Sequence, residues 1–472
     1  MSRKLILSLS FLALICGAWI TVLDKEKTKP NVLVIIIDDL GFHDLSLYGS
    51  KIYETPNVDR LASESYSFSN AYANYPRCLP SRYAMITSSY PLKEFNGNLA
   101  ETKDEGNFIK QFKKAGYDSY FVGKWHQKGE ENSPVGFGFD DSFAANSAGG
   151  VASHFYPYNT RKITAPMGEV APVEDIEKEG KEGDYLADAL TDKMISYVKT
   201  YDKSKPFFAI LSTYAVHSPF EAKQEDIGRN EKQIQQFDFG NTPEYIKEGN
   251  GLRKMRQDNP IYAAMVENMD WNVGRLLNSL KDASIDKNTI VVFTSDHGGL
   301  SNNGSLGMKV ATTNFPLRAG KGHLYEGGTR VPLLIRWPEK IKPRADKSSI
   351  VLLMDLMPSL LDLAADKQLK GVDGRSFENV INGKEKWDDR TVFYHEKMAR
   401  PNTTGDFPCT AMRSGNYKLL HYLNTDSYEL YDLTQDVSEE RNIFELMPDV
   451  ADKMKSELSA WKATHLTPEN ND

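Results

Sequence analysis

Side chains able to hold a metal, transfer protons or attack an electrophile are grouped in six short segments of the sequence. These are Asp38-Asp39, Cys78 to Arg82, Lys124 to His126, His217, Asp296-His297 and Lys321. Carboxylates are suitable ligands for hard cations such as Ca²⁺ or Mg²⁺, and histidines are suitable proton donors and acceptors. Each segment alone is common in proteins without a site, because loop carboxylates are usually solvated and lone lysines usually lie on the surface. Only their combination can indicate a function.

The segment Cys78-Leu79-Pro80-Ser81-Arg82 resembles the maturation sequence of formylglycine-dependent type I sulfatases. The resemblance implies that a formylglycine-generating maturation enzyme oxidises Cys78 to formylglycine, and that Arg82 holds the formylglycine oxygen. One hydroxyl of the aldehyde hydrate attacks sulfur and takes the sulfate, and the other then expels it by reforming the aldehyde. The family usually continues to a Thr-Gly pair, whereas this chain has Thr87-Ser88.

The two acidic segments together resemble the metal site of the same family. The resemblance implies one cation, with a ligand set that consists of Asp38, Asp39, Cys78, Asp296 and His297. Hard oxygen ligands favour Ca²⁺, with Mg²⁺ less favoured, and the cation would polarise the sulfate oxygens. Imidazole is a poor ligand for Ca²⁺, but a branch of the family that resembles iduronate-2-sulfatase has His at the position of His297.

The remaining segments resemble the sulfate-binding and proton-transfer residues of the family, in the family's order along the chain. In Gly123-Lys124-Trp125-His126, the resemblance implies that Lys124 contacts sulfate and the hydrate, and that His126 takes the proton when sulfate is eliminated. His217-Ser218-Pro219 resembles a His-x-Pro segment whose histidine acts as general acid toward the leaving alcohol. Lys321 matches the family's second sulfate-binding lysine.

Strands that alternate with helices are predicted up to about residue 370. Continuous apolar runs predict buried parallel strands at 31–37, 119–122, 206–214, 289–294 and 331–336. Apolar residues at helical spacing predict helices at 56–63, 183–201 and 260–280. This alternation predicts an α/β domain with a mostly parallel sheet flanked by helices, and a site at the carboxyl ends of its strands. The resemblance implies the same architecture, an alkaline-phosphatase-like core over residues 30–370.

The pattern changes after a helix-like segment at 352–364. Short strand-like segments with tight turns follow at 391–395, 410–413, 417–422 and 428–433, and an amphipathic segment covers 450–464. They predict a smaller C-terminal subdomain, residues 371–472, with an antiparallel sheet and one helix.

The N-terminus has the pattern of an export signal. Arg3 and Lys4 precede an apolar run from Leu5 to Leu23, so residues 1–23 are predicted to be a signal peptide or a signal anchor. The protein is then expected to be periplasmic, secreted or anchored at the cell surface. Its 57 Lys and Arg against 65 Asp and Glu give a formal net charge of −8, which disfavours nucleic acid as a partner.

Together these segments predict an enzyme that hydrolyses a sulfate ester. Export and the resemblance favour a sulfated polysaccharide or oligosaccharide, with specificity set by loops such as 145–164 and 218–252. Two alternatives stay open: a phosphonate or phosphodiester hydrolase on the same scaffold, and an inactive glycan-binding homologue. The latter would keep Cys78 unmodified or joined to Cys409 in a disulfide. The sulfate position, endo or exo action and the oligomeric state are open.

Overall fold

The computed structural model describes residues 29–92, Leu99, 102–158 and 173–466. The predicted export segment, residues 1–23, lies outside this part of the chain, as does the end of the predicted specificity loop 145–164. Among the described residues, no helix has both the length and the apolar character needed to cross a membrane.

The strands are β1 Asn31–Ile37, β2 Tyr66–Tyr72, β3 Asp118–Gly123, β4 Asp141–Phe143, β5 Phe207–Ser212, β6 Tyr245–Glu248, β7 Gly251–Lys254, β8 Thr289–Ser295, β9 Asn302–Asn303, β10 Arg330–Val331, β11 Leu333–Arg336, β12 Arg344–Leu352, β13 Thr391–Glu396, β14 Cys409–Ser414, β15 Tyr417–Tyr422 and β16 Ser427–Asp432. The α-helices are Pro56–Ser63, Cys78–Thr87, Phe108–Lys114, Pro134–Phe137, Glu174–Glu179, Leu186–Thr200, Gln224–Gln236, Pro260–Asp282, Glu326–Thr329, Leu356–Ala365, Glu378–Ile381 and Pro448–His465.

Within the described residues, nine strands form one central sheet. Its order is β12–β2–β11–β8–β1–β5–β3–β4, and the short β10 pairs with the end of β2. β10 and β11 run antiparallel to their neighbours, and the other strands run in one common direction. The predicted mostly parallel sheet is confirmed.

Both faces of the sheet are covered, which explains why β1 is a continuous apolar run. Leu33, Ile35 and Ile37 pack in one core layer, to which the helices Leu186–Thr200 and Pro260–Asp282 contribute. The alternate residues, Val32, Val34 and Ile36, pack in a second core layer with the helices Phe108–Lys114 and Leu356–Ala365. The sheet is therefore the middle of three layers, as predicted for an α/β domain.

Three local predictions differ from the structure. β2 and β12 were not predicted, because β2 carries polar residues between its apolar ones and β12 begins with an exposed polar segment. The strand predicted at 331–336 is interrupted at Pro332, which has no N–H for the strand ladder. The helix predicted at 352–364 begins at Leu356 instead, since Leu352 ends β12.

The C-terminal part contains the predicted antiparallel sheet, in the order β13–β14–β15–β16. The helix Pro448–His465 covers one face, where Met454 and Leu458 pack on Leu419 and Leu430. The other face packs on the main domain through residues such as Tyr394. The domain boundary near residue 370 stays a prediction.

One edge of the central sheet collects the predicted site residues. β1, β2, β3, β5 and β8 run in the same direction, so their carboxyl ends lie together. Asp38, Cys78, Lys124, His217 and Asp296 each lie in the connection that follows one of these ends. Lys321 precedes the antiparallel β10 and therefore approaches the same edge.

Candidate active site

The predicted site residues surround the thiol of Cys78. Cys78 is the first residue of the helix Cys78–Thr87 and is buried. The Nε2 atom of His297 lies 3.2 Å from its Sγ atom, and Asp39 Oδ1 lies 3.9 Å away. Cys78 and Cys409 are both free thiols, so the alternative of a disulfide between them is not realised in this structure.

Three buried carboxylates of the site each have a close cation, and Arg82 Nη2 also lies 3.6 Å from Asp38 Oδ1. The contacts are Lys124 Nζ to Asp38 Oδ2 at 2.6 Å, Lys321 Nζ to Asp39 Oδ1 at 2.7 Å, and Arg82 Nε to Asp296 Oδ2 at 2.9 Å. Arg82 lies one helical turn after Cys78, which places both side chains on one face of the helix. Its Nη1 also donates to Ser212 Oγ at 2.6 Å, which fixes the guanidinium below the thiol.

The donor atoms around the thiol fit a bound cation. Asp38, Cys78, Asp296 and His297 each offer one ligand atom, all within 4.8 Å of one another, and Asp39, Cys78 and His217 form a second such group. Asp38 Oδ1 is buried and accepts no hydrogen bond within the described part of the chain. A buried carboxylate oxygen without a donor is costly, so this atom favours a positive partner.

The pKa shifts of Asp38, Asp296 and Cys78 reflect burial together with the positive groups around them. Burial, with Asp296 and Cys78 nearby, raises the pKa of Asp38 well above its usual range, although Lys124 opposes this. Burial also raises the pKa of Asp296, but His297 and Arg82 outweigh it and bring the value to about 2. Burial disfavours a thiolate at Cys78, yet Lys124 and Lys321 hold its pKa well below the usual range.

His126 and His217 are two further imidazoles near the thiol. Burial lowers the pKa of both imidazoles to about 4. His217 Nε2 lies 3.8 Å from Asp39 Oδ2, and His126 lies within hydrogen-bonding reach of Cys78. Gly149 and Gly150 pack against the two rings so closely that a Cβ at Gly149 would meet the His126 ring at 2.7 Å. Both rings are thus held in place by the same loop.

Two site residues have unusual backbone conformations. Asp39 has φ 61° and His126 has φ 60°, in the left-handed region that residues other than glycine rarely adopt. Such strain persists only where surrounding contacts impose it. Here the Asp39 N–H donates to Asp296 Oδ1 at 3.2 Å and the His126 N–H donates to Asn146 O at 3.0 Å.

Sequence reasoning missed an ion pair that lies directly behind the thiol. Arg77 precedes Cys78, and its Nη2 donates to Asp406 Oδ2 at 2.7 Å; both side chains are buried. Arg77 Nε also lies 3.7 Å from Glu396 Oε2. The position of Arg77 beside the maturation segment was a signal for it, whereas nothing in the sequence around Asp406 pointed to this site.

The fold and the site geometry agree with the comparisons to known proteins. The sequence profile of the Sulfatase family matches residues 30–366, and that of the N-sulphoglucosamine sulphohydrolase C-terminal region matches residues 319–464. The chain belongs to the sulfatase family, and it is a sulfuric ester hydrolase with the alkaline-phosphatase-like fold. The predicted family, fold and enzyme class are confirmed.

Relatives match over almost the whole chain. A sulfatase of Formosa agariphila is 28% identical, over 93% of this chain and 90% of the relative. An N-acetylgalactosamine-6-O-sulfatase of Bacteroides thetaiotaomicron is 27% identical, over 93% of this chain and 94% of the relative. The crystal structure of Ps i-CgsB in complex with k-i-k-neocarrahexaose superposes with a TM-score of 0.74 at 29% identity, covering 93% of this chain and 94% of that one.

Replacing Asp406 with Asn should destabilise the protein, because the buried Arg77 guanidinium would lose its nearer carboxylate partner and keep only Glu396, at 3.7 Å. We expect the free energy of unfolding to fall by about 2–4 kcal/mol, measured by denaturant unfolding. The control is Asp118→Asn, which breaks the exposed pair with Lys205 and should cost less than about 1 kcal/mol. Equal effects of the two substitutions would contradict a structural role for the Arg77–Asp406 pair.

Proposed function

We propose that this enzyme removes sulfate from a sulfated oligosaccharide or polysaccharide, with position 78 as the nucleophile after conversion to formylglycine. The observation that carries the proposal is the Cys78 thiol at a helix start, enclosed by two lysines, three histidines and three buried carboxylates. Relatives whose names state hexosamine sulfates, and a structural neighbour bound to a neocarrahexaose, support a saccharide substrate.

Lys124 and Lys321 are placed to bind the sulfate group. Their ammonium groups pair with Asp38 and Asp39 near the thiol, so an anionic ester bound at the thiol meets two positive charges. Charge that develops on the transferred group is then stabilised by groups that are already oriented, which lowers the barrier. Arg82 neutralises Asp296 and keeps the base of the site electrically balanced.

His217 and His126 divide the proton transfers in the proposed mechanism. His217 donates a proton to the leaving alcohol, and His126 accepts the proton released when sulfate departs. Burial keeps both imidazoles neutral at pH 7, with pKa values of about 4. An anionic ester bound beside His217 favours the imidazolium form and so raises the pKa of His217 toward the working pH.

Formylglycine and one Ca²⁺ complete the proposed site. Asp38, Asp39, Asp296, His297 and position 78 would hold the cation, and the Oδ1 atom of Asp38, which accepts no hydrogen bond among the described residues, supports this assignment. The Nδ1 atom of His297 lies 2.9 Å from Gly298 O; burial opposes a charge on this imidazole, but Asp296 and Cys78 raise its pKa to about 9. Cation binding would therefore displace the Nε2 proton and direct that lone pair into the site. When bound, the cation withdraws electron density from the sulfate oxygens. We further propose that the protein is exported through residues 1–23 and matured by a formylglycine-generating enzyme.

Replacing Cys78 with Ser should leave the fold intact and abolish turnover, because serine cannot be converted to an aldehyde by cysteine oxidation. Turnover of 4-nitrophenyl sulfate and the thermal unfolding midpoint measure the two effects. The mass of the wild-type peptide that contains position 78, from protein made in its native host, should correspond to an aldehyde. An unmodified thiol in that peptide, or normal turnover by Cys78→Ser, would refute the nucleophile and favour a glycan-binding homologue.

A related fold can carry phosphorus chemistry, since one structural neighbour is a phosphonate monoester hydrolase of Agrobacterium radiobacter, with a TM-score of 0.62 at 20% identity. We expect kcat/KM for 4-nitrophenyl sulfate to exceed that for the matched aryl phosphodiester, since the dominant kcat/KM identifies the transition state that the site fits. A larger value for the phosphodiester would establish the alternative.

Ca²⁺ should raise the thermal unfolding midpoint, because a ligand that binds only the native state stabilises it. At a concentration 100 times the Kd, the gain is about 2.7 kcal/mol. In Asp38→Asn the shift between EDTA and Ca²⁺ should disappear, whereas the exposed control Asp282→Asn should keep it. Identical midpoints of the wild-type protein in EDTA and Ca²⁺ would exclude the proposed cation site.

A further inference from the structure

A loop of the C-terminal sheet reaches into the surroundings of the thiol. It joins β13 to β14 and spans residues 397–408. The Arg400 N–H donates to Asp406 Oδ2 at 3.1 Å, and the same carboxylate accepts from Arg77, the residue before Cys78. A Cβ at Gly322, next to Lys321, would meet Asp406 Oδ1 at 2.6 Å. The backbone of Arg400 is therefore linked through Asp406 to Arg77 and Gly322, the sequence neighbours of Cys78 and Lys321.

This loop has one defined conformation. The carbonyl of Arg400 accepts from the N–H groups of Thr403, Thr404 and Gly405, at 3.1, 3.0 and 3.2 Å. Two loops of the main domain hold it from outside. Asn250 Nδ2 donates to Pro401 O at 3.0 Å, and the Gly304 N–H donates to Thr403 O at 2.8 Å. Arg400 thus lies in a turn that is fixed by its own backbone hydrogen bonds and by hydrogen bonds to two neighbouring loops.

The side chain of Arg400 differs from the other cations near the thiol. Arg77, Arg82, Lys124 and Lys321 each face a buried carboxylate. In the described part of the chain, the exposed Arg400 side chain forms no ion pair or hydrogen bond. Partial desolvation and the nearby Arg77 lower the pKa of Arg400, whereas Cys78 opposes this.

We propose that Arg400 determines specificity by binding a second anionic group of the substrate, a sulfate or a carboxylate outside the ester that is hydrolysed. This inference rests on the proposed function. In the proposed mechanism the scissile sulfate has Lys124 and Lys321 as partners, so an additional unpaired guanidinium, on a loop held through Asp406 against Arg77 and Gly322, suits another anion. The exposed side chains of Leu306 and Met398 lie on the same group of loops and offer apolar contacts for a sugar ring.

Inhibition of 4-nitrophenyl sulfate hydrolysis tests this proposal. The competitors are N-acetylgalactosamine 6-sulfate, its 4,6-disulfate, and the disaccharide of unsaturated uronate with N-acetylgalactosamine 6-sulfate. We expect at least one of the two competitors with a second anion to bind the wild-type enzyme about 10-fold more tightly than the monosulfate. Tighter binding of the 4,6-disulfate would identify the second anion as a sulfate, and tighter binding of the disaccharide would identify it as a carboxylate.

The measured quantity is the inhibition constant of the monosulfate divided by that of the competitor that binds the wild-type enzyme most tightly. In Arg400→Met this ratio should fall about 10-fold, toward one. Arg400→Lys keeps the charge and should retain part of the ratio. Lys287→Met, which removes an exposed cation next to the amino end of β8, should leave it unchanged. An unchanged ratio in Arg400→Met would overturn the proposal, even if all inhibition constants rise. Absence of aryl sulfate turnover by the wild-type enzyme would overturn the proposed function and this inference with it.

Discussion

The pairing of three buried carboxylates with three cations is the constraint on which this site depends. The close pairs are Asp38–Lys124, Asp39–Lys321 and Asp296–Arg82, and Arg82 also lies 3.6 Å from Asp38 Oδ1. A single unpaired ion at such depth costs several kcal/mol, so none of these charges could be buried without its partners. Asp38 Oδ1 accepts no hydrogen bond among the described residues. The pairs therefore balance the buried carboxylates and leave one carboxylate oxygen for the proposed cation.

The register of the parallel strands makes these pairs possible. Ile37 is opposite Ser295, so the residues that follow, Asp38 and Asp296, emerge side by side from β1 and β8. β3 is separated from β1 by β5, and neighbouring strands are about 4.8 Å apart, so about 10 Å lies between β3 and β1. A long side chain is needed to cross that distance, which explains why lysine at the end of β3 meets Asp38. The fold therefore determines both the position and the type of these residues.

Much of this arrangement could be predicted from the sequence, for identifiable reasons. β1 and the helix Pro260–Asp282 have uninterrupted apolar patterns, and the structure has both where they were predicted. The site residues carry a family motif or follow a strand end, and the structure brings them together, while their chemical roles stay predictions. β2 was not predicted as a strand of the central sheet, because polar residues lie between its apolar ones. The contact between Arg77 and Asp406 joins residues 329 positions apart, so no local pattern could indicate it.

The C-terminal subdomain supports the active site directly. Its sheet is fixed to the main domain by a buried charge cluster, in which Lys418 Nζ lies 3.1 Å from Glu326 Oε1 and 3.2 Å from Glu439 Oε1. From this base, the loop at 397–408 brings Asp406 to Arg77. The predicted site residues follow the ends of strands in the central sheet, whereas the loop that carries Arg400 lies outside that sheet. Loops of this kind tolerate sequence change better than the strands they join. The proposed recognition of a second anion can therefore change through this loop while the charge pairs at the strand ends stay in place.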